Sequence, residues 1–206
     1  MRDLRTVIVS TDCDEIMQRA DLAVVKMYGE RVAEGYGVHR RGPELSKPGV
    51  SATTVTIAAL DDRDIEDDAT VVQLLPTSPF RTEEHIKAAL ALYFERDPGY
   101  SAVLSVTPVH RKALCYESSS GWLAKAELFL PIGFRDGEWN QPHPVYVSNG
   151  AIQITSAKLL RQHGDFWKIP KKIAYLMDEF AGFDVDSQAQ LDMAEAVIAS
   201  ESDGSL

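Results

Sequence analysis

Three short, uninterrupted apolar runs constrain this chain most: TVIVS from Thr6, TVVQLL from Thr70 and AVLSVT from Ala102. Strands apolar on both faces are buried on both faces, and between these runs apolar residues recur at helical spacing. Strands alternating with helices predict an α/β domain, with a mostly parallel sheet covered by helices on both faces.

The helical intervals carry their own start signals. After TVIVS, Asp12 and Glu15 have capping-box spacing, and Ile16, Ala20, Val24 and Met27 follow at helical intervals. A Gly-containing stretch through Gly35 and Gly37 precedes Arg40 and Arg41, and a second helix is predicted from Ser51 to Leu60. TVVQLL ends sharply at Pro76-Thr77-Ser78-Pro79. Thr82 can cap a helix with Glu83 and Glu84 in its first turn and Ile86, Leu90 and Tyr93 on its apolar face. Further along, Ala151 to Ile154 and Ala174 to Met177 read as strands, and Ser156 to Gln162 as a short helix. A last helix starts near Ser187, with Gln190 suited to a capping box and Leu191, Ala194 and Ile198 facing inward.

The stretch from about 110 to 145 breaks the rhythm. Trp122, Phe129, Phe134 and Trp139 follow no period, and Gly121, Gly133 and Gly137 signal turns. It reads as a small irregular or β-rich excursion, whose aromatics suit packing, a lid or a dimer surface. With that excursion included, 206 residues suffice for one domain with a substantial core.

Charge narrows the partners. A formal net charge of −10 argues against sequence-independent nucleic-acid binding, which needs clustered Lys and Arg. It also means that an anionic ligand needs a local cation or a divalent metal. The acidic run from Asp61 to Asp68 reads as a solvated connector. No apolar run approaches the ~18 residues that would span a bilayer, so no membrane partner is expected. Cys13 and Cys115 have neither metal spacing nor disulfide density, which points to a reduced, cytoplasmic setting.

Several residues have chemistry suited to a site. Asp184 and Asp186 stand two apart on a segment expected to be extended, which turns both carboxylates to one side, where they can meet one hard cation or simply favour the following helix. Thr77, Ser78 and Arg81 lie in a strand-end loop, at the carboxyl edge where open α/β sheets bind ligands; a Pro-framed turn explains them equally well. Asn149-Gly150 is a turn pair or a close-approach point, and Ser51 an N-cap or an anion contact. Asp12 reads as a helix cap.

Five stretches, in order, carry a resemblance: VIVSTDCDEI from Val7, RGPELS from Arg41, LLPTSPFRT from Leu74, VSNGAIQI from Val147 and FDVDSQAQLDMAE from Phe183. Together they resemble the acylneuraminate cytidylyltransferase family across nearly the whole chain. The resemblance implies a Rossmann-like nucleotidyltransferase fold with a dimerising excursion. It implies transfer of CMP from CTP to the anomeric hydroxyl of an acidic, sialic-acid-like sugar, release of pyrophosphate, Mg²⁺ as cofactor and a homodimer. By the same resemblance Asp184 and Asp186 form the metal pair, Arg41 grips the phosphates, Ser51, Thr77 and Ser78 adjoin the nucleotide, and Arg81, Gln141, Tyr146, Asn149 and Gly150 adjoin the sugar.

Three departures accompany it. The family opens with a strand and a basic ARxGSK-type loop that holds the CTP phosphates, and this chain starts after it, so Met1 is expected to be an internal methionine or the gene truncated. Leu75 stands where a glutamine is usual before PTSP, with Gln73 a conceivable substitute two residues earlier, and Pro48 stands where an aspartate is usual. A truncated, non-catalytic homologue acting as a binding subunit is the alternative these departures imply.

Overall fold

The computed structural model describes residues 6–28, 35–96, 101–109, 114–117, 125–128 and 145–202. By spatial clustering the chain divides into two compact units, each assembled from separate stretches of sequence.

The first unit comprises Met1–Gln73, Asp97–Ala102 and Thr155–Lys171. Its opening strand β1 (Val7–Thr11) leads into α1 (Asp14–Tyr28), which has Asp14 and Glu15 in its first turn and Lys26 in its last, as the helix dipole favours. The capping box expected from Asp12 and Glu15 does not form. Glu15 pairs with Arg19 at 2.7 Å and the Asp12 carboxylate turns to Arg41, because the helix begins one residue too late for Asp12 to cap it.

Strand β2 (Tyr36–Arg40) lies parallel to β1, with Val7 opposite Tyr36 and Thr11 opposite Arg40. The Arg63 guanidinium lies across Gly37, in the space a Cβ would take. That side chain reaches back to donate from Nη2 to the Val38 carbonyl at 2.8 Å.

After a 3-10 turn at Pro43–Ser46, α2 (Ala52–Asp62) is capped by Ser51, whose Oγ accepts the Thr54 N–H at 3.0 Å. Strand β3 (Thr70–Gln73) follows. Helix α4 (Ala157–His163) is capped by Ser156 and closes on Gly164 at φ 67°, a left-handed turn that glycine adopts without strain. It packs on α2. Leu160 and Phe166, both fully buried, anchor this core, each side chain contributing about 1.5–3 kcal/mol. Arg161 ties α4 to the acidic run: Nε to Asp61 at 2.8 Å, Nη1 to Asp67 at 2.7 Å and Nη2 to the Ile65 carbonyl at 2.8 Å. Asp61 and Asp67 are thus ion-paired rather than merely solvated.

The second unit comprises Leu74–Arg96, Val103–Ile154 and Lys172–Leu206. It holds α3 (Glu83–Arg96), α5 (Gln188–Ser202) and most of β4 (Ser101–Val109), β7 (Val145–Ser156) and β8 (Lys171–Leu176), with β4 between β7 and β8. β7 runs antiparallel to β4, so parallel and antiparallel pairings coexist in the chain. Its core includes Tyr93, Val103, Ile152 and Ile154. Within the excursion, β5 (Leu114–Glu117) and β6 (Lys125–Leu128) pair antiparallel, while the four aromatics noted above lie outside the described residues.

The β4–β7 ladder carries a large bulge. Partners step from Leu104↔Gln153 to Val106↔Ser148, two residues along β4 against five along β7. Asn149 to Ile152 therefore bow out opposite Ser105, with Gly150 at φ 69° supplying the left-handed turn.

Candidate functional site

The candidate site of the second unit is built where the loop after β3, the β7 bulge and the segment preceding α5 meet. The loop turns at Pro76-Thr77 and Pro79-Phe80, prolines fixing the φ angles that a tight reversal needs. The segment Asp178–Asp186 starts in a turn, with the Asp178 carboxylate accepting the Ala181 N–H at 2.7 Å and its carbonyl accepting the Gly182 N–H at 2.9 Å. From Phe183 to Asp186 the backbone has no helical or strand pairing, and it stops at Ser187, the N-cap of α5. Gln190 Oε1 accepts from the Asp186 N–H and the Ser187 hydroxyl, each at 2.9 Å, and Ser187 Oγ accepts the Gln190 N–H at 3.4 Å, a variant of the expected capping box in which the glutamine reaches one residue further back.

Three contacts join these elements. The Val185 N–H donates to the Thr77 carbonyl at 2.9 Å, which pins the residue between the two aspartates to the Pro76 loop. Phe80 stacks on Phe180 with ring centroids 4.2 Å apart and meets Phe183 at 5.8 Å. Gly182 lies against the bulge: a Cβ there would be 2.5 Å from Asn149 Nδ2 and would collide with Thr107 Cγ2.

Arg81 binds loop to bulge. Its Nη1 donates to the Leu75 carbonyl at 3.0 Å and the Ala151 carbonyl at 2.7 Å. Burial lowers its pKa, and among the described residues no carboxylate pairs with it. Its visible work is to position backbone. Leu75 lies beside Gly150, its Cδ1 3.2 Å from where a Cβ would stand. Gln73, in the first unit, accepts from the Thr56 hydroxyl at Oε1, 2.8 Å away.

Buried polar atoms left without a partner mark what this arrangement is for. They include Ser78 Oγ, Asn149 Nδ2 and Asp184 Oδ1. Each such group costs about 1–3 kcal/mol unless something binds it. Asp184 is half-buried and Asp186 exposed. Among the described residues no group of three or more His, Cys, Asp or Glu could hold a metal ion. Two carboxylates with one unpartnered oxygen nevertheless fit Mg²⁺, which is usually held by one or two carboxylates and completes its shell with substrate phosphate and water.

Of the other expected residues, Tyr146 stands exposed on β7, opposite Pro108. Gln141 lies outside the described residues. Arg41 and Ser51 belong to the first unit. Arg41 Nη2 donates to Asp12 Oδ1 at 2.8 Å, its backbone N–H to Thr11 O at 3.0 Å, and its Nε is buried without a partner. Arg40 is the exposed one of the pair and bonds Asp14 at 3.0 Å. Ser51 caps α2 and shares a 2.9 Å hydroxyl contact with Thr54. Sequence reasoning missed Ser105, Asp178 and Gly182, whose roles depend on contacts between distant segments; Gly182, one residue before the FDVD motif, carried no pattern of its own.

No family model matches the chain. Over 197 residues it is 30% identical to the CMP-N,N'-diacetyllegionaminic acid synthase of Legionella pneumophila, covering 93% of this chain and 77% of that protein. It is 28% identical to the N-acylneuraminate cytidylyltransferase of Streptococcus agalactiae over 91% of this chain, but spans only 41% of that longer protein. Among solved structures, a CMP:2-keto-3-deoxy-manno-octonic acid synthetase complexed with CTP superposes with a TM-score of 0.60 over 95% of this chain and 81% of its own, at 13% identity, a likeness of fold. No described helix is long and apolar enough to cross a membrane. Five motifs in order, an α/β fold of the nucleotidyltransferase type and a relative at this identity along most of both chains lead to one assignment: the chain belongs to the acylneuraminate cytidylyltransferase family.

Proposed function

We propose that this protein transfers CMP from CTP to an acidic sugar of the sialic-acid type and releases pyrophosphate. The observation that carries the reading is the hydrogen bond from Val185 N–H to Thr77 O, which sets the aspartate pair beside a loop holding an unpartnered Ser78 hydroxyl. The names of the curated relatives support the substrate class.

In the proposed reaction the sugar's anomeric oxygen forms a bond to the α-phosphorus of CTP, the bond from that phosphorus to the oxygen bridging to the β-phosphorus breaks, pyrophosphate leaves with that oxygen, and the hydroxyl proton passes to water. Asp184 and Asp186 would hold Mg²⁺, which supplies charge neutralisation at the phosphates and lowers the pKa of an oxygen bound to it. Arg41 suits phosphate because a guanidinium presents paired donors, and Asp12 holds it at one nitrogen while Nε stays uncommitted. Asn149 offers a buried donor toward an oxygen of the sugar. Thr77 and Arg81 hold backbone in place.

The test is to incubate the protein with CTP, Mg²⁺ and a panel of acidic sugars and to measure pyrophosphate. Release that depends on both CTP and one of the sugars supports the reading. No release with any member of the panel overturns it.

A further inference from the structure

Ser105 is fully buried, sits opposite the β7 bulge and has no place in the assignments above. Its hydroxyl is spent in a determinate way. Oγ accepts the Ile152 N–H at 2.8 Å and donates to Asn149 Oδ1 at 2.5 Å, so the side chain replaces the ladder bonds that the bulge removes. The Ala151 N–H also donates to Oδ1, at 3.1 Å.

These bonds decide which way the amide of Asn149 faces. An amide nitrogen in the place of Oδ1 would meet the Ala151 N–H donor to donor. The oxygen must therefore face inward, and Nδ2 must face the Gly182 side, where it is buried without a partner on a residue only 6% exposed. On that side the neighbour of Nδ2 is Gly182, which presents backbone and no side chain that could satisfy the donor.

We infer that Ser105 is a positioning residue: it locks the Asn149 amide so that the site presents a donor, and thereby selects a substrate atom that accepts, a carboxylate or hydroxyl oxygen of the acidic sugar. This rests on the function proposed above. Loss of the Ser105 hydroxyl leaves Oδ1 held by the Ala151 N–H alone, so the amide donor is aimed less firmly at such an atom.

The experiment is a double-mutant cycle with Ser105→Ala, Asn149→Ala and both together, read as kcat and KM for sugar and for CTP separately. Ser105→Ala is expected to raise the sugar KM about tenfold, the usual cost of one oriented hydrogen bond, with the CTP KM within about twofold of wild type. The double variant should be no worse than Asn149→Ala alone. Additive losses, or an equal rise in both KM values, overturn the inference. Ser105→Cys, a weak donor of similar size, should fall between wild type and alanine, and guards against a variant that only unfolds; a cysteine variant no better than alanine counts against it. If the wild type turns over no sugar, the proposed function fails by itself. Ser105 is then judged by the ¹⁵N side-chain amide signal of Asn149, identified by its loss in Asn149→Ala. The signal should shift in Ser105→Ala, and an unmoved signal overturns the inference.

Discussion

Val185 and Thr77, far apart in sequence, are joined backbone to backbone at 2.9 Å, the Val185 N–H donating to the Thr77 carbonyl. The bond matters because Val185 is flanked by Asp184 and Asp186. Since the bond is between main-chain groups, the backbone that carries the pair is held without help from any side chain, which suits a site that must hold its geometry before a ligand arrives.

Gly182 is the residue that allows this segment to lie flat on the bulge. Gly182→Ala places a methyl against Thr107 and Asn149, so it should lower stability by about 1–3 kcal/mol. Activity should fall further than stability, because the displaced segment carries both aspartates. Urea unfolding alongside turnover checks this, and a variant of wild-type stability and rate would contradict the packing.

Asp12 makes a pH-dependent contribution in the first unit. Its carboxyl is held below the ordinary 3.8, first by its own backbone N–H, then by the Ser46 hydroxyl and by Arg41, against a smaller opposing effect of burial. The folded state thus favours the charged form. The contribution is complete above pH 3.8 and disappears as pH falls through the lower folded value. Asp12→Asn should be less stable than wild type at pH 7, with the gap closing in acid. Urea midpoints between pH 7 and 3 measure it; a constant gap would refute the assignment.

Arg161 satisfies three acceptors around the acidic run, two of them carboxylates more than half exposed. Water and salt screen the ion pairs, so Arg161→Ala should cost about 1–2 kcal/mol, less in high salt. Denaturant unfolding at low and high ionic strength is the check. A cost independent of salt would mean that the loss is in packing.

What the sequence made legible was local. Ser51, Ser156 and the Ser187–Gln190 pair announce three helix starts because capping chemistry lies within four residues. β2 was hidden by Gly37: glycine has weak strand preference, and the Arg63 guanidinium that lies across it arrives from the end of α2, far off in sequence. The direction of β7 is equally absent from its residues, since strand orientation is settled by pairing with β4. At the site, the motifs marked Asn149 and Asp184, whereas Ser105 and Gly182 declare themselves only once the bulge has formed and the Asp178–Asp186 segment has come down on it.

The metal pair is tested most directly by a Mg²⁺ titration of pyrophosphate release from CTP and an acidic sugar, comparing wild type with Asp184→Asn, which keeps the side-chain shape and removes its charge. The account predicts Mg²⁺-dependent release by the wild type and a loss of at least about a hundredfold in the variant at equal thermal stability. Turnover by Asp184→Asn at the wild-type rate and the same Mg²⁺ dependence would contradict it.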